Sequence, residues 1–313
     1  MLPCAIVAAI TGAALADTLH TNGPIVTNAT GGTGSIAGLA ISNCDGFTVP
    51  GSTFIYSTTG VAATVSNTTA VAEDFVVPAG GWDLDALTVY AFQTSQTSAS
   101  VTQVQVNLWT DTPFSAGSPG APATLPQPVL AANLVLAAGP GTFVCHRQSA
   151  TSTGTVRPVF AYTVSLDGLP NGGRLAPGRY WVQWSFLGAA SPSANVFTPL
   201  VSPRTATQGH NARQLNALDG NPASPRVWFE GREGYVAGSA EGRAFELPFT
   251  LLGTPMPPCA SDLDGDRDVS GSDLALALLD FGPCAGCASD IDGSGEVDAG
   301  DLAVMLLDFG PCP

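Results

Sequence analysis

Twelve of the chain's 25 acidic residues fall within residues 259–313, against the single base Arg267, so that segment carries −11 of a total formal charge of −15. The acids are spaced, not scattered. In residues 259–284, CASDLDGDRDVSGSDLALALLDFGPC, the residues Asp262, Asp264, Asp266, Asp268, Ser270 and Asp273 occupy places 1, 3, 5, 7, 9 and 12 of one short stretch. Residues 287–312, CASDIDGSGEVDAGDLAVMLLDFGPC, repeat it 28 positions later with 17 of 26 residues identical. They put Asp290, Asp292, Ser294, Glu296, Asp298 and Asp301 at the same places. Alternate residues of a tightly curled loop point inward, and a hard cation takes roughly six to eight oxygens at about 2.3–2.6 Å. The chemistry on offer is cation coordination, once per copy. Two copies in register make a merely solvated acidic turn a poor account of the pattern.

The order is that of an EF-hand calcium loop. There the seventh residue gives its backbone carbonyl, so Asp268 and Glu296 need not coordinate through their side chains, and Asp298 at place 9 can act through a water. Place 6 asks for glycine, because the backbone turns there with positive φ. The second copy has Gly295, but the first has Arg267, which costs about 1 kcal/mol or more of backbone strain. An apolar run follows each loop, Leu274 to Phe281 and Leu302 to Phe309. Ser270 with Asp273, and Asp298 with Asp301, stand at N-cap and N3 spacing, so each helix is expected to start inside its own loop. Gly282-Pro283 and Gly310-Pro311 should stop the helices. Each copy is then a loop plus one helix, too small to bury anything alone, and the two should pack on each other.

Duplicated loop-helix units with Asp at place 12 and Val269 or Val297 at place 8 resemble the type I dockerin repeat, over about 55 of the 313 residues. The resemblance implies a module at the end of a secreted bacterial protein, two bound calcium ions, and a cohesin partner in an extracellular assembly. Partner recognition does not carry over residue by residue. Places 10 and 11, which tend to hold hydroxyl side chains in that family, are Gly271-Ser272 and Ala299-Gly300 here, and neither helix contains Lys or Arg. Four cysteines are an addition to the family pattern. Antiparallel packing of the two units brings the start of each loop beside the end of the other helix, pairing Cys259 with Cys312 and leaving Cys284 beside Cys287. The alternative is a four-cysteine zinc site, because Cys284-Ala-Gly-Cys287 has ligand spacing.

Met1 to Ala16 read as a signal peptide: an apolar stretch from Ala5 to Leu15, too short to span a bilayer, then Ala14-Leu15-Ala16 as a small-x-small cleavage site. Cleavage there removes Cys4 and leaves six cysteines, with Cys44 and Cys145 as the third candidate disulfide. The expected location is secreted, extracellular or at the cell surface. No other segment is apolar enough to cross a membrane. Ten Arg, no Lys and no basic run argue against a nucleic-acid partner.

Residues 17–252 have a different texture, rich in Thr, Ser, Val, Gly and Pro with apolar residues at period two. The alternation is strongest at Leu87, Val89 and Ala91; at Val104, Val106 and Leu108; at Phe160, Tyr162, Val164 and Leu166; and at Tyr180, Val182, Trp184 and Phe186. Short strands with Gly/Pro turns predict a mainly β fold, a β-sandwich of jelly-roll type, followed by a small α-helical dockerin-like calcium module. Gly117 to Pro128 and Gly188 to Arg226 read as long loops, and residues 253–258 as a proline-stiffened linker to the module at 259–313. The large domain carries no catalytic motif: His20, His146 and His210 lack metal spacing, and no GxSxG, HExxH or P-loop occurs. Glu73-Asp74 and Asp83/Asp85 flank Gly80-Gly81-Trp82 and read as solvated or capping turn residues. Trp109 and Trp181 fall on the face opposite the main apolar residues, where they could stack on sugar rings, whereas Tyr180 and Trp184 belong to the core. The expectation is a secreted, non-catalytic protein whose sandwich binds or displays something, a polysaccharide among the candidates, while the calcium module tethers or stabilises it. The alternatives are a glycoside hydrolase using acids near Asp74 and Asp85, or a structural surface component in which the module caps the sandwich.

Overall fold

The computed structural model describes residues 16–30, 38–44, 47–48, 55–56, 58–110, 112–113, 129–149, 154–188, 195–201, 210–217, 224, 226–233, 243–284 and 286–312. The signal-peptide reading thus lies outside the described residues, as does the expected loop Gly117 to Pro128. The chain is mainly β. Its longer strands are β1 (Asp17–Asn22), β2 (Ile41–Asn43), β3 (Ala70–Val77), β4 (Trp82–Ala91), β5 (Gln103–Trp109), β6 (Val129–Ala137), β7 (Thr142–Gln148), β8 (Pro158–Ser165), β9 (Gly178–Leu187), β10 (Arg213–Ala217), β11 (Arg226–Glu230) and β12 (Phe249–Pro255). One sheet runs β1-β12-β4-β8-β7-β2, with the short strand Arg174–Leu175 also on β4; the other runs β11-β10-β3-β9-β5-β6. Neighbours in both are antiparallel, except the parallel pair β7 and β2.

Period-two alternation places one set of side chains from each strand between the sheets. Leu87, Val89, Ala91, Val104, Val106, Leu108, Phe160, Tyr162, Val164, Leu166, Tyr180, Val182, Trp184 and Phe186 all belong to one buried cluster drawn from both sheets. On the outer face of the second sheet Ala70, Ala72, Trp109, Trp181 and Trp228 form a separate cluster. The opposite-face reading of Trp109 and Trp181 is therefore right, but both side chains are buried, which removes them as a platform for sugar rings. Two strands, Phe197–Pro199 and β10, lie in the stretch read as a loop from Gly188 to Arg226. Arg213-Gln-Leu-Asn-Ala217 hides its strand because Leu215 and Ala217 are the only apolar residues in it; it pairs with β3 and β11, and Leu215 packs against the cluster around Trp181. The linker reading is also shifted, for β12 continues through Pro255, pairing with Trp82.

Glu73 and Asp74 are not turn residues. They sit mid-strand in β3, both buried. Val71, Phe75 and Val77 face the common core, so Glu73, of the same parity, points between the sheets, while Asp74 points outward. Glu73 accepts hydrogen bonds from the backbone N–H of Leu247 (2.8 Å) and of Asp74 (3.3 Å). Glu246 lies beside it, accepting from the Asn22 amide at 3.2 Å. Burial pushes the Glu73 carboxyl well above the usual carboxylate range, and the neighbouring Glu246 and Asp74 charges push it further. Its pH dependence follows. The unfolded chain gives up this proton near pH ~4.3 while the folded chain keeps it, so stability falls as pH rises above that value. Glu73→Gln should leave thermal stability near pH 4 almost unchanged and raise the midpoint increasingly as pH rises above about 5; melting curves with a parallel pH dependence in the two proteins would exclude a raised Glu73 pKa.

Candidate metal centre

The repeats fold as the sequence spacing demands. Helix α1 (Gly271–Leu279) starts at Ser270 and α2 (Ala299–Leu307) at Asp298, each with a complete capping box closed by Asp273 or Asp301 at N3. The loops are hydrogen-bonded alike. Asp273 Oδ1 accepts from the N–H of Leu263 (2.8 Å) and Asp264 (3.1 Å), and Oδ2 from Ser270 (2.8 Å). Asp301 Oδ1 accepts from Ile291 (2.8 Å) and Asp292 (3.1 Å), and Oδ2 from Asp298 (2.8 Å). Both carboxyls are buried. Burial pushes Asp273 up, but its backbone donors outweigh that and hold it below the usual carboxylate range. For Asp301 the N–H groups of Asp298 and Asp292 lead, with the same result. Asp264, facing Asp273, Asp266 and Asp262, is pushed up by desolvation and by those like charges.

Two three-carboxylate groups result, Asp262–Asp264–Asp273 and Asp290–Asp292–Asp301, each offering oxygens that lie within 4.8 Å of one another. Either could hold a metal ion. Asp290 Oδ1 is buried and has no hydrogen-bond partner among the described residues, a burial cost that coordination of a cation would offset. The remaining candidate ligands lie outside the two triads. Asp266 accepts from the N–H of Asp268 (2.9 Å), the Ser294 hydroxyl donates to the Glu296 carbonyl (3.0 Å), and Asp298 caps Gly300 (2.6 Å). Asp268 and Glu296 sit in two-residue strands with exposed side chains, a placement suited to carbonyl donation.

The two units are related by a pseudo-twofold that joins each loop to the end of the other helix. Asp268–Val269 pairs with Gly310–Pro311, and Glu296–Val297 with Gly282–Pro283. Ser261 donates to Asp308 (2.6 Å) and Ser289 to Asp280 (2.7 Å), symmetry-equivalent bonds that identical Ser and Asp positions in the two repeats could have signalled. The cysteines follow the same operator: Cys259–Cys312 and Cys284–Cys287 are disulfides, and adding 28 to the numbers of Cys259 and Cys284 gives Cys287 and Cys312. The cysteines are thus bonded in pairs, one at each end of the pseudo-twofold, and not gathered as a four-cysteine zinc site.

Cys44 and Cys145 are not bridged. Parallel pairing of Ile41 with His146 and Asn43 with Gln148 offsets the two cysteines by four residues along neighbouring strands. That is about 13 Å at 3.3 Å per residue, far beyond disulfide reach. Burial pushes the Cys145 thiol up to about 12.

Among the described residues Asp74 and Asp85, singled out for glycoside hydrolysis, do not converge. Asp74 is held on the outer face of β3 by the Arg179 guanidinium and by the N–H of His210, while Asp85 is exposed on the other sheet. A polar cleft of about 560 Å³ does open near the β10–β11 edge, lined by Asn67, Asn195, Asn216 and Arg226 among others. No protein-family model matches the chain, and no curated protein matches it.

The twin carboxylates at place 12 should be separable. Asp301→Asn keeps one acceptor oxygen but turns an N–H donor toward the Asp298 N–H, so cation affinity of the second loop should fall at least the roughly 10–100-fold that even outer-shell changes cost. The first loop should keep its affinity. Titration with a metal ion, read by calorimetry on Asp273→Asn and Asp301→Asn, checks this: a uniform loss at both loops in either variant would contradict independent triads.

Proposed function

We propose that this is a secreted, non-catalytic modular protein: a jelly-roll β-sandwich that binds or displays at the cell exterior, tethered or stabilised by a C-terminal, dockerin-like module holding two calcium ions. The observation that carries the reading is the pair of equivalent loops, each closing three carboxylates on one point beside a capped helix. Their donors are all oxygen, with carbonyls of Asp268 and Glu296 available, and curled loops of this kind suit calcium's flexible coordination better than magnesium's octahedron or zinc's nitrogen and sulfur ligands. The jelly-roll reading is supported by strand order. The run β1-β12-β4-β8 in one sheet stands against β3-β9-β5-β6 in the other, with the chain crossing between sheets at β2 to β3, β3 to β4, β4 to β5, β6 to β7, β8 to β9 and β11 to β12.

A protein partner such as a cohesin-like or cell-surface domain is favoured by what the helices leave uncovered. Leu278, Leu279, Phe281, Leu306, Leu307 and Phe309 are exposed, Leu279 and Leu307 by 82% and 86%. A symmetric apolar surface of this kind marks an interaction site, and it argues against a module buried as a cap on the sandwich. For the large domain, the cleft at Asn67, Asn195, Asn216 and Arg226 favours a hydrophilic ligand such as a polysaccharide over an apolar one.

Calorimetric titration of calcium into the chelator-stripped protein, disulfides intact, tests the core of this reading. Two binding events are expected, and no heat at millimolar calcium would refute it. A glycan-array screen of the same protein and of Arg226→Ala tests the cleft: hits should weaken about tenfold or more in the variant, as loss of a charged hydrogen-bond donor predicts.

A further inference from the structure

Arg267 occupies the place where the first loop should have glycine, and it adopts the left-handed backbone all the same, at φ 71°. Its twin Gly295 sits at φ 90°. Both N–H groups make the same bond at 2.9 Å to the first aspartate of their loop, Arg267 to Asp262 Oδ2 and Gly295 to Asp290 Oδ2. The difference is the side chain. The Arg267 guanidinium leaves the loop and donates to the Gly80 carbonyl (2.9 Å), in the turn between β3 and β4, and to the Pro257 carbonyl (3.1 Å) in the segment joining β12 to the module. Its own carbonyl accepts from the N–H of Cys312 (3.0 Å), next to the Cys259–Cys312 disulfide.

The receiving surface is shaped for this contact. Gly80 stands at φ 97°, and a Cβ there would come within 2.3 Å of the Met256 carbonyl oxygen and 2.9 Å of the Pro258 nitrogen. The Met256 N–H donates to the Gly81 carbonyl at 2.9 Å, laying the joining segment on the turn. Only glycine lets the two backbones approach this closely, and the approach aligns two carbonyls from different segments for one guanidinium. A left-handed arginine is strained, and such strain persists where surrounding structure over-determines it.

We propose that Arg267 is a positioning residue that couples cation binding in the first loop to docking of the C-terminal module on the β domain. The inference rests on the calcium reading of that loop. A cation draws the Asp262 carboxylate into the triad; Asp262 fixes the Arg267 N–H; the fixed backbone aims the guanidinium at Gly80 and Pro257. The second loop, with Gly295, binds its cation without any such reach. The two sites therefore play different parts, the first reporting to the large domain and the second completing the module.

Hydrogen exchange on the full chain, with and without calcium, tests this in the wild type, Arg267→Gly and Arg267→Lys, with calorimetry on each. In the wild type, calcium should slow exchange about tenfold or more at residues 79–82 and at Thr254 and Met256, the two positions of 254–258 that carry an amide hydrogen, away from the loop itself. Arg267→Gly should still bind two calcium ions, because glycine accepts the left-handed backbone that the loop needs. It should nevertheless lose the protection at 79–82, Thr254 and Met256. Arg267→Lys, with one donor group, should restore part of it. Absence of calcium binding in the wild type would overturn the calcium reading and the coupling with it. Two ions bound in the wild type with no calcium-dependent protection at those segments, or with equal protection in Arg267→Gly, would overturn the coupling alone.

Discussion

The two C-terminal repeats depend on one interaction made twice: a buried aspartate, held ionised by its donors, that gathers three backbone N–H groups. Asp273 and Asp301 each hold two amides from the start of the loop and one from the N-cap residue. One side chain therefore fixes the loop's curl, the first turn of the helix and the position of a carboxylate in the triad. The donors also keep that carboxyl charged despite burial, which is the state a cation requires. Capping and the carboxylate triad are one arrangement here, so a helix cannot start correctly without half-building a site that could hold a metal ion.

The rest of the repeats has little else to stand on. Among the described residues their buried apolar side chains are Val269, Ala277, Val297 and Met305, with Cys312, far short of what an isolated domain of this size needs. Cross-links take the place of a core. Two disulfides, two Ser–Asp bonds and two strand pairs, all related by the pseudo-twofold, tie each loop to the opposite helix end. This leaves the outward helix faces without structural duty, and apolar Leu279 and Leu307 remain uncovered there.

Legibility from sequence tracks how local the determining physics is. Loop spacing, capping boxes and core alternation are short-range patterns, and each of the strand faces read at Leu87, Val104, Phe160 and Tyr180 belongs to the common cluster. What stays hidden in the sequence is set by long-range pairing. Strand β10 carries a weak apolar signal, Leu215 and Ala217 alone, and pairing with its two neighbours specifies it. Cys44 and Cys145 look like a pair by count alone, and only the register between β2 and β7 separates them. Trp109 and Trp181 have the parity of surface residues, yet parity says which face a side chain takes and not whether that face is covered.

Glu73 departs furthest from its appearance in the sequence, because its chemistry is that of Asp273 with the opposite outcome. Both are carboxyls removed from water. Asp273 meets three backbone N–H groups, and the donors outweigh desolvation. Glu73 meets two such donors, one of them at 3.3 Å, and has Glu246 as a neighbour, so desolvation and like charge win. A sequence presents both as acids next to turns. Donor count and neighbouring charge decide which carboxyl is held below the usual range and which is pushed above it; for Asp273 the donors come from its own loop, while for Glu73 the environment is fixed only once the distant Glu246–Leu247 segment has closed on it.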